Sequence, residues 1–498
     1  MAEGYLSESV NFLSYADGEL SLSPVKGDSD ERGNLSLKEA EILFILHGNK
    51  VQESESKGDY YVYSLHEEEA EDPFRLKNFH ILNDGIPQHI VDKFLLEKLP
   101  EHLTCNATHR LSVVVSTNAG VHQAEKFYDG VLNPLLGSLG LQAAGDGEWS
   151  SNRDQEKYEL IRTKSDQTVK ELGKQLSEPS SADQARTIVL LSGDGGVVDL
   201  LNGPDSQENS IPSGNRKPTI VLLPLGTGNA LFHSLHKPVY AKPYPPSPYV
   251  AGLRTLFFGH SAPLPTFEAS FTPGSRLISY SDPGSQAGEA EEHTKTVSKL
   301  AGAIVASYGF HASLVWESDT PEYRKHGAQR FHMAAAELLK LGHPYDAQVA
   351  VRLPRSGIDE WQPRKTGTGD KFAYVLCALV SNLEKTFVIS PHSRPLDGKM
   401  GLVTFGDVGG EKTMDVMKAA YDEGAHVGMK WTMEDGRVEE VGYENVEEVR
   451  VVVKEEDPRW RKVCIDGTIV ELPAKNGWMR VAKSKGARLN VVVGRDIV

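Results

Sequence analysis

Short apolar segments alternate with helical patterns between residues 110 and 265. Four of these segments predict buried strands, and the stretch after each places its apolar residues at helical spacing; the strands are Arg110–Val115, Tyr158–Thr163, Thr187–Leu191 and Pro218–Leu223. Short strands that alternate with helices are typical of an open, mostly parallel α/β sheet. The pattern therefore predicts an open parallel α/β domain over residues 109–265.

After residue 265 the alternation stops and strands predominate. Residues 273–297 are rich in Ser, Gly and Glu, which predicts a loop. Helical spacing is found at Gln329–Leu341 and Thr413–Tyr421. We therefore predict an antiparallel, β-sandwich-like domain over residues 266–498, with strands at Ala301–Ser307, Asp346–Leu353, Phe372–Ser381, Gly401–Phe405, Val446–Lys454, Arg461–Ile465 and Arg488–Val493.

Residues 1–108 form a preface to these two domains. The first 35 or so residues are rich in Ser, Gly, Asp and Glu, a composition that predicts poor order. Residues 39–108 predict a small accessory or docking module with three strands and one helix, at Glu41–His47, Tyr60–Leu65, Phe74–Leu82 and Ile86–Leu103. We find no chemistry in this module.

The net charge and the cysteine content limit which binding partners and which cellular compartment the protein can have. The 498 residues include 69 acidic and 53 basic side chains, for a net charge of -16. This balance argues against a nucleic-acid binder and against permanent electrostatic attachment to an anionic bilayer, although a local basic patch could serve either purpose. Three scattered cysteines exclude a disulfide framework and favour a reducing compartment. We expect a cytoplasmic protein that makes transient, peripheral membrane contact.

Glycine-rich turns follow three of the predicted parallel strands. The first is Ser192-Gly193-Asp194-Gly195-Gly196, the second is Leu225-Gly226-Thr227-Gly228-Asn229, and a third is Thr117–Gly120. In open α/β sheets ligands bind at the carboxyl edge, where glycines allow close approach and helix N-termini present N–H groups. The three turns together predict a polyphosphate site. Each turn alone could instead be a tight connection with a helix cap.

At these residues the sequence resembles the catalytic domain of the diacylglycerol kinase and sphingosine kinase family. The turn at Ser192–Gly196, followed by Asn202-Gly203, is similar to the first signature of that family, and Leu223–Asn229 is similar to its Leu-Pro-x-Gly-Thr-Gly-Asn signature. Downstream, Tyr323–Phe331 is similar to a sphingosine kinase segment with two arginines, and Cys464–Gly467 to the late Ile-Asp-Gly-Glu motif. The resemblance covers roughly residues 110–495.

The resemblance implies an ATP-dependent lipid kinase that uses Mg²⁺ and phosphorylates a hydroxyl of a diacylglycerol- or sphingoid-type lipid at a membrane surface. Asp194 would be the general base or would hold Mg²⁺, and Asp466 would act at the metal. Phe310, Val315 and Phe331 would contact the lipid. ATP would be bound by Asn118, Gly120, Thr163, Ser192, Gly193, Gly195, Gly196, Asp199, Gly226, Thr227, Gly228, Asn229, Arg324, Arg330 and Gly467.

Several of these residues have simpler interpretations. Asp194 could be a helix cap and Asp466 a turn residue, while the two arginines could form surface ion pairs with Asp319 and Glu322. Thr468 replaces an acidic residue of the late motif, and Val315 replaces an aspartate that contacts the polar head of the lipid in sphingosine kinases.

These departures leave two alternatives open. One is a nucleotide-binding family member with weak or lost kinase activity that acts through a protein interaction. The other is an NAD kinase-like enzyme, which would share the two-domain plan.

Overall fold

The computed structural model describes ten stretches of the chain. They are residues 7–25, 33–48, 59–82, 85–144, 156–177, 184–203, 217–280, 292–327, 329–354 and 360–495.

The N-terminal region is a six-stranded sheet followed by a short helix. The strand order is β3-β2-β1-β6-β5-β4, and neighbours are antiparallel except β1 and β6. The elements are β1 (Glu8–Ala16), β2 (Glu19–Pro24), β3 (Leu35–Lys38), β4 (Ile42–His47), β5 (Tyr60–Glu67), β6 (Phe74–Ile81) and α1 (Gln88–Phe94).

Our expectation of poor order before residue 35 was wrong for residues 8–24. Composition is polar there, but Val10, Leu20 and Leu22 are fully buried, since they lie on the inner face of the β1–β2 hairpin. Residues 1–6 and 26–32 lie outside the described residues.

The N-terminal sheet packs against the α/β domain through aromatic side chains. The ring of Phe44 lies 4.8 Å from that of Phe257, and the ring of Phe74 lies 4.9 Å from that of Phe127. The guanidinium of Arg254 donates hydrogen bonds to the carbonyls of Glu39 (2.6 Å) and Ile42 (2.8 Å). The module is thus anchored directly on the helices of the next domain.

The second region is the predicted α/β domain. A π-helical turn at Tyr128–Leu132 joins its first two helices into one continuous segment. The elements are β7 (His109–Val115), α2 (Ala124–Phe127), α3 (Asn133–Ser138), β8 (Leu141–Ala143), β9 (Glu156–Arg162), α4 (Thr168–Leu176), β10 (Ala185–Ser192), α5 (Asp194–Asn202), β11 (Thr219–Pro224), α6 (Ala230–Tyr240), α7 (Pro248–Phe258) and β12 (His260–Pro263).

The third region is dominated by antiparallel strands. Its helices are α8 (Phe310–Ser318), α9 (Pro321–Arg324), α10 (Gln329–Leu341) and α11 (Gly409–Tyr421). Its strands are β13 (Phe267–Phe271), β14 (Arg276–Tyr280), β15 (Glu292–Thr296), β16 (Lys299–Gly302), β17 (Val305–Gly309), β18 (Tyr345–Arg352), β19 (Gln362–Arg364), β20 (Lys371–Ala378), β21 (Met400–Gly406), β22 (Lys430–Thr432), β23 (Val438–Glu440), β24 (Gly442–Val446), β25 (Glu448–Val453), β26 (Lys462–Ile465), β27 (Thr468–Glu471), β28 (Trp478–Lys483) and β29 (Asn490–Val493).

The two predicted sheet types are both present. The α/β sheet has the order β12-β29-β11-β10-β7-β9-β8 and is parallel except between β12 and β29. In the third region fourteen strands form one antiparallel sheet. β10 and β11 lie inside the parallel sheet, where their apolar runs are covered on both faces.

The third region differs from the sequence prediction at two places. The segment 273–297, predicted as a loop, contains the β14–β15 hairpin, whose strands pair from Arg276 with Thr296 to Tyr280 with Glu292; residues 281–291 lie outside the described residues. The last strand, β29, pairs with β11 and β12 and so belongs to the α/β sheet. Short apolar strands carry no signal of which sheet they join.

Candidate functional site

A cleft of 630 Å³ lies between the carboxyl edge of the parallel sheet and the β-rich region. This volume is within the range of small-molecule sites. Residues of both regions line it, and these include most of the predicted site: Asn118, Gly120, Thr163, Ser192, Gly193, Asp194, Gly195, Gly196, Asp199, Gly226, Thr227, Val315, Arg330, Phe331, Asp466 and Gly467.

The two main glycine turns pack directly against each other. A Cβ atom on Gly226 would lie 2.2 Å from the Cα of Gly193, and one on Gly120 would lie 2.5 Å from the carbonyl oxygen of Leu225. No side chain fits at these distances, so glycine is required at both places. The three turns therefore form one backbone surface at the edge of the sheet.

Asn229 fixes the shape of the second turn. It adopts a left-handed conformation (φ 52°), its Oδ1 accepts the N–H of Gly226 at 3.0 Å, and its Nδ2 donates to the Gly226 carbonyl at 2.8 Å. Neither Asn229 nor Gly228 lines the cleft. A Cβ atom on Gly228 would instead lie 3.3 Å from the carbonyl oxygen of Leu383. Both residues therefore belong to the turn but do not face the cleft.

The carboxylate of Asp194 connects two helix N-termini. Asp194 is the first residue of α5, and its oxygens accept the N–H groups of Ala230 (2.7 Å) and Leu231 (3.1 Å), which begin α6. Burial raises the pKa of the Asp194 carboxyl, although the two N–H donors oppose this effect. The positive end of α6 is therefore already occupied, and α5 is the helix whose N-terminus faces the cleft.

Gly195 lines the cleft beside Asp194. A Cβ atom on Gly195 would meet no atom within 4 Å. The packing of the protein itself therefore does not require glycine here, in contrast to Gly120 and Gly226. The space that a side chain would fill lies at the N-terminus of α5, where free N–H groups and the helix dipole favour an anion.

Asp466 enters the cleft from the opposite side, on the turn between β26 and β27. Its carboxylate accepts three backbone N–H groups, from Ala303 (2.6 Å), Ile304 (3.1 Å) and Val305 (2.6 Å). Burial raises the pKa of Asp466 to about 7; the three donors oppose the shift, and the negative charge of Asp194 adds to it. A carboxyl with a pKa near neutrality can exchange protons at physiological pH.

The two predicted phosphate-binding arginines both contact Asp319. Arg324 donates to its two carboxylate oxygens at 3.1 and 2.8 Å, and Arg330 donates to one of them at 3.3 Å. Arg330 and Asp319 line the cleft, whereas Arg324 does not. Guanidinium groups bind carboxylates and phosphates through the same kind of paired N–H···O hydrogen bonds. Asp319 thus occupies the position of an anion at the mouth of the cleft.

The other end of the cleft contains Asp199, next to Lys170 of α4. The Nζ of Lys170 lies 3.6 Å from the carboxylate of Asp199. Burial raises the pKa of Asp199 to about 6, although Lys170 lowers it. Thr163 directly follows β9, and its hydroxyl accepts the N–H of Thr117 at 3.0 Å, which attaches the first turn to the end of that strand.

One residue predicted to contact the lipid lies outside the cleft, and one residue of the cleft was missed. Phe310 does not line the cleft; it begins α8 and is buried in the core beside Leu338 and Tyr345. His311, the next residue, does line the cleft, and its Nδ1 lies 2.7 Å from the Ser307 hydroxyl. Burial lowers the pKa of His311 to about 4, so its ring is neutral at pH 7. Because consecutive residues of a helix point in different directions, Phe310 faces the core while His311 faces the cleft.

The acidic residue missing from the late motif is not replaced by Glu471. Thr468 lines the cleft, but Glu471, three residues along β27, points to the opposite face and pairs with Lys462 and Arg276. Among the described residues, no group of three or more His, Cys, Asp or Glu side chains is placed to hold a metal ion. Of the carboxylates that line the cleft, Asp194 lies in the first glycine-rich turn and Asp466 lies on the opposite side.

Part of the α/β domain matches a known protein family. Residues 112–246 match the family model described as the diacylglycerol kinase catalytic domain. The α/β domain is thus similar to the diacylglycerol kinase catalytic domain. The matched segment contains the three glycine turns, Asp194 and Asp199, whereas Arg330 and Asp466 lie beyond its end. The search of curated proteins found no match.

Three solved structures from Bacillus anthracis str. Sterne are similar in shape. One is named as a diacylglycerol kinase, with 11% identity, a TM-score of 0.42, and coverage of 78% of this chain and 98% of the other. Two more, named as proposed diacylglycerol kinases, have 13% and 12% identity, TM-scores of 0.46 and 0.44, and the same coverage. In the described part of the chain, no helix is long and apolar enough to cross a membrane.

Proposed function

We propose that this protein is an ATP-dependent lipid kinase, which transfers the γ-phosphate of ATP to the hydroxyl of a lipid. The observation that carries this proposal is the convergence of glycine turns, an arginine and Asp466 on one cleft that also has apolar lining. Phosphoryl transfer depends mainly on positioning and charge neutralisation, which such a cleft supplies.

The nucleotide would lie along the carboxyl edge of the parallel sheet. The gap at Gly195 and the N-terminus of α5 fit a phosphate group, while the backbone at Gly226 and Thr227 would flank the polyphosphate. Asp199 would face the ribose. Arg330 would bind phosphate oxygens after it exchanges Asp319 for them.

A magnesium ion fits this cleft if phosphates supply most of its ligands. Mg²⁺ in kinases is held by one or two carboxylates together with substrate phosphates and water. Asp194 is one such carboxylate, and it retains lone pairs beyond those used for its two N–H groups. Bound there, the ion would neutralise charge that develops on the phosphates.

The proton of the acceptor hydroxyl requires a nearby carboxylate. Burial raises the pKa of Asp466 to about 7, which suits proton exchange near neutral pH. Asp194 is held by two N–H groups of α6, so its main contribution is to fix the two glycine turns relative to each other. We therefore assign proton acceptance to Asp466 and positioning to Asp194.

The lipid would enter beside α8 and α10. Val315 and Phe331 line this side of the cleft, with Leu383 nearby. A valine offers no charge to a cationic amine, so the acceptor headgroup is neutral in this proposal, as in diacylglycerol. Sphingoid bases would be poorer acceptors, and NAD, with its two phosphates, would find no favourable partner at Val315.

A second candidate is a nucleotide-binding protein with little or no kinase activity. Thr468 favours it, since an acidic group is absent at that point of the cleft and Glu471 does not replace it. In that case bound nucleotide would regulate contact with another protein.

One set of assays separates these candidates. Purified protein is given ATP labelled in the γ-phosphate together with diacylglycerol, ceramide, a sphingoid base or NAD in detergent micelles. Label on diacylglycerol supports the proposal, and label on NAD alone contradicts it. If ATP raises the thermal unfolding midpoint but labels no acceptor, the binding-protein candidate is correct.

A further inference from the structure

A second pocket lies on the β-rich sheet, and it shares no lining residue with the cleft. It has a volume of 310 Å³ and is lined by three arginines and two tryptophans: Arg352, Trp361, Arg450, Trp478 and Arg480. The arginines come from three adjacent strands, β18, β25 and β28. Positive charge is therefore concentrated here in a protein whose net charge is -16.

The strand register places like charges directly opposite each other. Arg450 pairs with Arg480 across β25 and β28, an arrangement that is unfavourable unless an anion compensates it. Glu448 supplies part of that compensation, with contacts to Arg480 at 2.8 Å and to Arg352 at 3.3 Å. Three guanidinium groups around one cavity form a lining suited to binding an anion.

The tryptophans hold the arginines in place and add apolar surface. The guanidinium of Arg352 lies 4.8 Å from the ring of Trp361, and that of Arg450 lies 5.7 Å from the ring of Trp478. Both tryptophans are half-buried, and Arg450 is exposed. Tryptophan beside cationic side chains is the combination enriched at the level of lipid headgroups, where a ring meets both acyl chains and water.

We propose that this pocket binds the phosphate of an acidic phospholipid headgroup and so attaches the protein to an anionic membrane surface. Guanidinium groups bind phosphate oxygens through paired hydrogen bonds. The tryptophans favour a lipid over free inorganic phosphate, because a free ion gains nothing from apolar rings. The proposal does not depend on the kinase function, since the pocket and the cleft are lined by different residues.

Vesicle flotation with the full chain tests the proposal. Vesicles of phosphatidylcholine alone are compared with vesicles that also contain phosphatidic acid, at low and high salt. The variants are the double substitution Arg450→Glu and Arg480→Glu, and the uncharged change Trp361→Ala. Lys418→Glu is the control for added negative charge away from the pocket, because Lys418 is an exposed cation on α11, with 72% of its side chain accessible.

We expect wild-type protein to float with the acidic vesicles only, and to float less as salt rises. The double variant should lose binding by a factor on the order of ten or more, and Trp361→Ala by less, while Lys418→Glu binds like wild type. Unchanged binding by a folded double variant, or an equal loss in the Lys418→Glu control, would overturn the proposal. So would full competition by millimolar inorganic phosphate, which would indicate a free-ion site. Lipid phosphorylation in detergent micelles, measured in parallel, reports on the cleft separately.

Discussion

The carboxylate of Asp194 accepts the backbone N–H of Ala230 at 2.7 Å, and so the first residue of one helix caps the next. This contact joins the two glycine turns that form the floor of the cleft. It also explains why an aspartate inside a glycine-rich motif is compatible with a phosphate site, since its charge is directed at α6 while the N-terminus of α5 remains open.

Asp194→Asn should therefore reduce both stability and activity. An amide offers one oxygen where the carboxylate offers two, so one N–H of α6 is left without its acceptor. We expect a loss of roughly 1–2 kcal/mol in unfolding free energy and a strong loss of phosphoryl transfer. Urea unfolding and the lipid kinase assay measure the two effects. Asp129→Asn, at an exposed surface carboxylate, is the control and should change neither.

A substitution at Gly195 separates an effect on ATP binding from an effect on folding. Because a Cβ there meets no protein atom within 4 Å, Gly195→Ala should fold normally and fill space meant for a phosphate. We expect an unchanged or slightly higher unfolding midpoint and a much smaller midpoint increase on addition of ATP. Gly137→Ala, at another helical glycine with open space, should leave the ATP response intact. An ATP response in Gly195→Ala equal to that of wild type would place the phosphates elsewhere.

Asp319 competes with nucleotide for the arginines in this account. Asp319→Asn removes the charge that holds Arg324 and Arg330, and so should strengthen ATP binding, whereas Arg330→Ala should weaken it. Isothermal calorimetry with ATP measures both. If both variants weaken ATP binding alike, Asp319 positions the arginines and does not compete with the phosphates.

The raised pKa of Asp466 predicts a specific dependence of stability on pH. The pKa of Asp466 is about 7 in the folded protein, above the ordinary value of 3.8 for an aspartate, so the folded state holds a proton that the unfolded state releases. This contribution to stability is complete below pH 4 and is lost as pH rises through 7.

Asp466→Asn should remove that dependence. Between pH 4 and 7 the wild type should lose stability relative to the variant by up to about 1.4 kcal/mol per pH unit. Urea unfolding at several pH values gives the slope of unfolding free energy against pH for both proteins. The difference between the two slopes isolates Asp466, because the buried histidines contribute equally to both. Parallel slopes would mean that Asp466 is ionised in the folded protein throughout this range.

The glycine turns were predictable from sequence because their geometry is local. Gly193 and Gly226 follow apolar strands, and parallel strands bring such turns to one edge. The partner of Asp194 was not predictable, since Ala230 lies 36 residues away. Nor was the sheet of β29, whose Val491 pairs with Ile220 more than 250 residues earlier. Local patterns give the elements, while distant pairings depend on the packing of the whole chain.

Acceptor choice provides a further prediction at Val315. Val315→Asp places a carboxylate in the lipid side of the cleft, so the ratio of sphingoid-base to diacylglycerol phosphorylation should rise. Val315→Leu keeps the position apolar and should leave that ratio unchanged. Measured initial rates with both lipids decide the matter, and an unchanged ratio in Val315→Asp would mean that the lipid head does not contact this residue.

The most direct test of the proposed kinase activity follows phosphate from ATP to lipid in a single reaction. Wild-type protein, diacylglycerol in mixed micelles, Mg²⁺ and γ-labelled ATP should yield labelled lipid and an equal amount of ADP, and Gly195→Ala should yield neither above background. ADP formed without labelled lipid, or labelled lipid formed equally by Gly195→Ala, would contradict the account.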